Sequence, residues 1–359
     1  MPTLLLLLNS SGPGIADDNI SFKVRLQPRA ELGQFSTADG NSYDVRLDHY
    51  VRRSRLEISG KPAEGVSYML VIAADRLGQR GSSNKTSAPY AFVDYSLGAT
   101  TKLRAGLQKL PFIRQRQISS SRQLFIDRSQ PALTLSAGLG SYVAPQLSLL
   151  GTVREGGIAY ALAVADGFQP GDSDSRFSGL TVTETTGPAF ACRLQLSPAG
   201  WLEGAQMESH LGEGRHLTLG LYAAAQNGIE TGPTSEDRLL WGADASFHKE
   251  GLVLQAEFLR LERSGDGLDS APAGWYLQSG YYLPGLKLEP TGRVERYDAD
   301  LPGGKDAVTT YVGGLNWYRQ GHNLKFMLNL VHSRFQRNAR EVDTEPSRTV
   351  LQLQNQLYF

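Results

Sequence analysis

Leu351-Gln-Leu-Gln-Asn-Gln-Leu-Tyr-Phe359, the last nine residues of the chain, largely alternate between apolar and amide side chains, Asn355 being the one amide on the apolar side. Successive side chains of a β-strand point to opposite faces, so Leu351, Leu353, Leu357 and Phe359 share one face and Gln352, Gln354 and Gln356 the other. An apolar face, an amide face and a closing aromatic suit a strand with lipid on one side and a wet lumen on the other. A half-buried edge strand of a soluble sheet would alternate in the same way, so the rest of the chain has to decide.

The same period recurs throughout. In Ile20–Gln27, Ile20, Phe22, Val24 and Leu26 oppose Ser21, Lys23, Arg25 and Gln27. Leu103, Ala105 and Leu107 oppose Lys102, Arg104 and Gln108, and Phe190, Cys192, Leu194 and Leu196 oppose Arg193 and Gln195. Leu252, Leu254, Ala256 and Phe258 oppose Gln255 and Glu257, and 324–330 repeats the pattern. No stretch carries sustained helical periodicity with start and stop signals. The pattern predicts sixteen strands, near 20–32, 43–59, 66–75, 88–96, 101–108, 146–153, 158–166, 188–196, 216–225, 239–248, 252–262, 274–282, 286–296, 308–318, 322–332 and 349–359. An even count is what a bacterial barrel requires, and tight turns after even strands alternate with longer loops after odd ones. The longer ones are 33–42, 76–87, 109–145, 167–187, 226–238, 263–273, 297–307 and 333–348. The connection 197–215 breaks the alternation: it belongs on the short-turn side and is long. Tyr95, Trp275, Tyr281, Tyr282, Trp317, Tyr318 and Tyr358 fall at strand ends, as interfacial girdles would.

Composition agrees. No run of 18 apolar residues exists, so no transmembrane helix is available. Cys192 is the only cysteine, which rules out an intramolecular disulfide framework and a cysteine-built metal site. The formal charge of zero supplies no net field for nucleic acid. Residues 1–19, with five consecutive leucines and no preceding basic residue, do not make a normal signal peptide. They read as an amino-terminal periplasmic segment: a remnant, a plug or a docking segment ahead of a barrel over 20–359.

A sixteen-stranded barrel leaves an aqueous channel too wide to discriminate small ions. The longest connection, 109–145, is the candidate for narrowing it by folding inward as the third long loop. It carries Lys109, Arg114, Arg116, Arg122 and Arg128 against a single acid in 109–129, Asp127, and Ser119, Ser120 and Ser121 add neutral donors.

Several stretches resemble the phosphate-selective porin family, the trimeric anion channels of the bacterial outer membrane. They are Val51–Gly60, Tyr90–Ser96, Leu103–Phe112 with Ser119–Arg122 and Phe125–Ser129, Gly274–Tyr282, Leu288–Arg296 and Gly314–Tyr318, and they occur in the family's order over most of 20–359. The terminal Leu351–Phe359 strand also resembles the signal by which outer-membrane proteins are recognised for insertion. The resemblance implies an outer-membrane porin, a homotrimer in contact with lipid and lipopolysaccharide, passing small anions such as phosphate by passive diffusion, with no cofactor, no metal and no bond chemistry.

The residues point the same way. Guanidinium stays charged and offers planar donors to oxyanions, and a file of arginines along one wall favours anions. Arginine outnumbers lysine 27 to 9. Lumen parity nominates Arg25, Arg29, Arg53, Arg55, Arg104, Arg193 and Arg293, with Lys23 and Lys102; Arg52 has the wrong parity unless a bulge turns it inward. Pairing of these cations with Glu31, Glu57, Asp94, Glu257, Glu289 and Glu295 would instead give a broad-specificity pore. The family's phosphate site uses loop lysines as well as arginines, and here the loop has lysine only at its root, Lys109.

Two other classes compete. A barrel enzyme would need a triad or metal-spaced pair, but no nucleophile motif surrounds any serine, and His49, His210, His216, His248, His322 and His332 read as scattered strand-end residues. Asp172 and Asp174 in the fourth long loop read as solvated rather than as Ca²⁺ ligands. A scaffold barrel in a larger outer-membrane complex would dock a periplasmic partner through 1–19 or 197–215, the latter carrying Trp201, Leu202 and Met207.

Overall fold

The computed structural model describes residues 20–359 apart from 38–39, 83–84, 154, 156, 175, 178, 204–205, 233, 267–268 and 343–344. The expectations for 1–19 lie outside the described residues.

Sixteen antiparallel strands close into a barrel: β1 Ile20–Ser36, β2 Tyr43–Ala63, β3 Val66–Asp75, β4 Lys85–Ser96, β5 Thr101–Lys109, β6 Val143–Val153, β7 Ile158–Ala165, β8 Ala189–Leu196, β9 Arg215–Thr231, β10 Thr234–Lys249, β11 Leu252–Gly265, β12 Ala273–Tyr281, β13 Leu288–Asp298, β14 Val308–His322, β15 Leu324–Phe335 and β16 Ser347–Tyr358. Each strand pairs with its sequence neighbour, and β16 pairs with β1 through Leu26↔Leu357 and Leu32↔Leu351. The two-residue strand Glu184–Thr185 adds to the rim of β9.

The expected two faces are present. On β16, Leu353 is 51% exposed on the outside while Gln354 and Gln356 are 1% and 0% exposed within. Every strand predicted from alternation is there. Two boundaries differ for a physical reason. Asn227-Gly228 reads as the end of a strand, but the register shifts between Gln226 and Ile229 while pairing continues. Gly228 takes φ +60°, so the step is a bulge that spares the ladder, and the expected loop 226–238 shrinks to the short gap between Thr231 and Thr234. A second bulge falls between Gln27 and Pro28, opposite Arg53 and Val51, which leaves Arg52 as the extra residue.

Two girdle aromatics are misassigned by strand-end position alone. Tyr318 is fully buried and bonds Glu289, and Tyr358 bonds Glu57 and lies under Arg25, so both face the lumen. Tyr95, Trp275, Tyr281 and Trp317 do face outward.

The lumen is not empty. The loop after β5 turns inward through α1 (Arg114–Gln117) and α2 (Gln130–Leu135). Its Leu110, Phe112, Ile113, Ala132, Leu135 and Leu139 pack against Ala163, Ala191, Tyr222, Ala224, Leu240, Leu259 and Leu261 of β7–β11. Burial of apolar surface thus seats the loop on one side of the barrel. The long connection 197–214 also enters the lumen: the amides of Glu208 and Ser209 donate to the Arg122 carbonyl. The expected irregularity is an elaborated turn and not a slip of register.

Candidate functional site

The inserted loop has little secondary structure, so its backbone polar groups must find partners elsewhere. Carboxylates and amides of the wall and of the connection between β8 and β9 supply them. Glu257 accepts from the Arg114 amide at 2.6 Å, Glu208 from Leu124 at 2.8 Å, Glu295 from Gln130 at 3.0 Å and Asn329 from Ile126 at 2.9 Å. Loop carbonyls accept from Lys325, Asn316, Gln27 and Gln356. Two of the acids expected to pair with lumen arginines, Glu257 and Glu289, are therefore otherwise engaged, and Glu295 divides itself between the loop and Arg293. Glu257 and Glu295 hold loop amides, though Glu295 also touches Arg293 at 2.7 Å, and Glu289 bonds Tyr318 and Ser209.

The loop leaves open the side of the barrel formed by β1–β6. A cavity of about 590 Å³ lies there, bordered by Arg25, Arg53, Arg55, Arg104, Lys109, Arg122 and Arg128, with Glu57 as its one carboxylate. Ser119, Ser120, Ser121, Tyr90, Tyr142, Phe92 and Tyr358 complete much of its lining. Arg128 also borders a cavity of about 320 Å³ toward the long-loop end, and Arg104 one of about 790 Å³ toward the short-turn end.

The expected wall residues divide into two groups. Some are neutralised: Arg25 pairs with Glu57, Arg55 with Asp75 at 2.5 Å, Arg104 and Lys102 with Asp94 at 2.5 and 2.8 Å, and Arg193 with Asp244 at 2.7 Å. Arg29 grips Asp127 with two bonds of 2.9 Å, and Arg293 donates to the Asp127 carbonyl. Lys23 is exposed at the barrel end, 5.9 Å from the Tyr358 ring.

Others meet only neutral acceptors. Arg53, 5% exposed, donates to Gln27 Oε1 at 2.9 Å. Lys109 donates to the carbonyls of Gln117 and Ile118, Arg128 to those of Gln115 and Ile118, and Arg122 to Met207 Sδ. Arg52, the extra residue of the bulge, belongs to neither group: it lies within electrostatic reach of Asp127 and also of Arg29 and Arg76.

Two expected constriction residues lie elsewhere. Arg114 is fully buried away from the cavity, paired with Glu203 at 2.8 Å and bonded to Ser246. Arg116 donates to the Ala132 and Leu133 carbonyls and to Ser136, closing the end of α2, and stacks on Tyr142. Charge and loop position nominated both; the burial that removes them has no signature in the loop itself. Ser120 accepts from Arg25 at 2.8 Å, while Ser119 and Ser121 bond each other. Asp127 is the acid that fixes the loop tip. Burial pushes its carboxyl up, but Arg29 outweighs this and holds it below the usual carboxylate range.

The histidines are less scattered than expected. Asp48 points inward and His49 outward, so no triad forms there, yet His210, His216 and His248 converge. Asp174, expected in solvent, is buried against Arg238 at 2.6 Å.

Three comparisons bear on this arrangement. The family described as phosphate-selective porin O and P matches over residues 22–167 and 205–359. An uncharacterized protein of Aquifex aeolicus (strain VF5) is 31% identical, covering 95% of this chain and 87% of that protein. Among solved structures, the anion-selective porin from Comamonas acidovorans superposes with a TM-score of 0.69 at 16% identity, covering 95% of this chain and 99% of that one. The outer membrane channel DcaP of Acinetobacter baumannii gives 0.63 at 13% identity, covering 95% and 97%. Salmonella typhi OmpF, in complex with daunomycin, gives 0.64 at 8% identity with the same coverage. These likenesses set the barrel in the bacterial outer membrane as a porin channel.

Proposed function

The chain belongs to the phosphate-selective porin O and P family, and from that premise we propose that this porin passes small anions, oxyanions such as phosphate among them, past the cavity beside β1–β6. One observation carries the reading. Arg53, Lys109, Arg122 and Arg128 border a single cavity, and among the described residues none of them meets a carboxylate. Leaving buried or half-buried cations without a counter-charge is costly. A mobile anion would complete the site, accepting charge-assisted bonds from guanidinium and ammonium groups. The serine hydroxyls of Ser119–Ser121 add neutral donors at the same level.

The neutralised pairs Arg25–Glu57, Arg55–Asp75 and Arg104–Asp94 favour a second reading, a broad pore whose walls carry balanced charge. By family kinship the channel is taken to be a homotrimer. The zero-current potential across a planar bilayer under a potassium chloride gradient separates the two readings. Anion selectivity is expected, with chloride current blocked by added phosphate. A potential near zero would leave the broad pore, and anion selectivity without block would make the channel a general anion pore.

A further inference from the structure

We propose that His210, His216 and His248 form a binding site for a divalent transition-metal ion of the zinc class, which ties the 197–214 connection to the barrel wall. His216 and His248 are directly opposed in the β9–β10 register, both on the lumen face. His210 comes from the connection and packs over them, its ring centroid 4.3 Å from that of His216 and 4.5 Å from that of His248. One ring nitrogen from each lies within 4.8 Å of the others. The three are 9%, 2% and 0% exposed.

The hydrogen bonds are what make this more than a packed trio. Among the described residues, neither ring nitrogen of His248 has a partner, and Nε2 of His210 has only Glu203 Oε1, at 3.3 Å. A buried imidazole with nothing to bond forfeits its hydration without return. A metal ion supplies the missing partner. Tetrahedral zinc, with Zn–N near 2.0–2.1 Å, sets ligand nitrogens about 3.3 Å apart, so the rings need only close in from the present spacing. All-imidazole donors suit Zn²⁺, Cu²⁺ and Ni²⁺ rather than Mg²⁺ or Ca²⁺. Supporting groups surround the cluster: Glu203 Oε1 lies 3.3 Å from His210 Nε2, fixed in turn by the Met207 amide, and Ser246 Oγ is 2.8 Å from His216 Nε2. Carboxylate and hydroxyl partners of this kind orient metal-binding histidines. The site also reaches the inserted loop, because Glu203 pairs with Arg114. It is independent of which ions the channel passes.

The test uses the full chain, purified in detergent and stripped with chelator, titrated with Co²⁺. One Co²⁺ per chain is expected, with the intense visible bands of a low-coordinate site, displaced by Zn²⁺. His248→Ala and His210→Ala should each weaken binding by at least about tenfold, and Glu203→Gln by about tenfold, while His332→Ala leaves it unchanged. Channel conductance of each variant reports that its barrel is intact. Absence of those bands in the wild-type chain would overturn the proposal whether or not the variants fold. So would undiminished binding in a conducting His248→Ala variant.

Discussion

At the scale of single residues, three arginines of the lumen separate by what they touch. Arg53 on β2 and Arg128 on the loop have neutral partners, whereas Arg114 is sealed against Glu203 with side-chain exposures of 0% and 2%. Arg53→Gln should therefore lower the anion preference in a bilayer measurement while leaving the thermal transition within a few degrees. Arg114→Gln should do the opposite first: removing one partner of a buried pair costs about 3–5 kcal/mol, so the transition falls before selectivity is asked about. Equal effects of the two on selectivity would show the cavity is not the filter. Asp127 adds a pH dependence. Its carboxyl is held below the ordinary value of 3.8, mainly by Arg29, so the folded loop tip gains stability that is present above that pH. The gain is lost as pH falls through the lower folded value. A third of the Asp127 side chain still meets the lumen, which screens part of the effect. Asp127→Asn should be less stable than wild type at neutral pH and flatten the acid limb below about pH 4; an unchanged limb would remove Asp127 from the loop's anchoring.

At the scale of elements, the strands were legible because lipid and lumen impose a period of two on each of them, and one register slip would exchange the faces. Bulges were legible only in part. Arg52 carries a parity conflict that a bulge resolves, but Asn227-Gly228 is as good a turn signal as a bulge signal. The inserted loop was legible in length and charge and not in conformation. Its course depends on Glu208, Glu257, Glu295 and Asn329, which lie between 84 and 203 residues away in sequence from the amides they receive. Within β5, three residues before its end, Gly106 takes φ +127°, and an added Cβ there would run into the Ala91 carbonyl. Gly106→Val should break β4–β5 pairing at that level, seen as loss of the heat-resistant folded form on electrophoresis. A normally folded variant would show that the backbone there relaxes freely.

At the scale of the whole molecule, formal neutrality hides a division of charge. The cavity beside β1–β6 gathers Arg53, Lys109, Arg122 and Arg128, none of which meets a carboxylate among the described residues, while Glu208, Glu257, Glu289 and Glu295 are spent on the far side, holding the loop or its supports. Net charge read from composition therefore said nothing about the channel, and the sum of zero was no argument against an anion path. The division sets the expected salt dependence. Selectivity that came from exposed rim charges would vanish as the Debye length shrinks from about 30 Å at 0.01 M to about 3 Å at 1 M. Selectivity from groups bordering the path at contact distance is screened far less. The zero-current potential, taken at a fixed concentration ratio, should thus fall only in part between those salt levels and keep its anionic sign at the higher one. A sign that disappears by 1 M would move the origin of selectivity from the Arg53–Lys109–Arg128 cavity to the outer loops. Arg53→Gln should bring the high-salt potential down more than the low-salt one, because it removes a contact charge and leaves the rim intact.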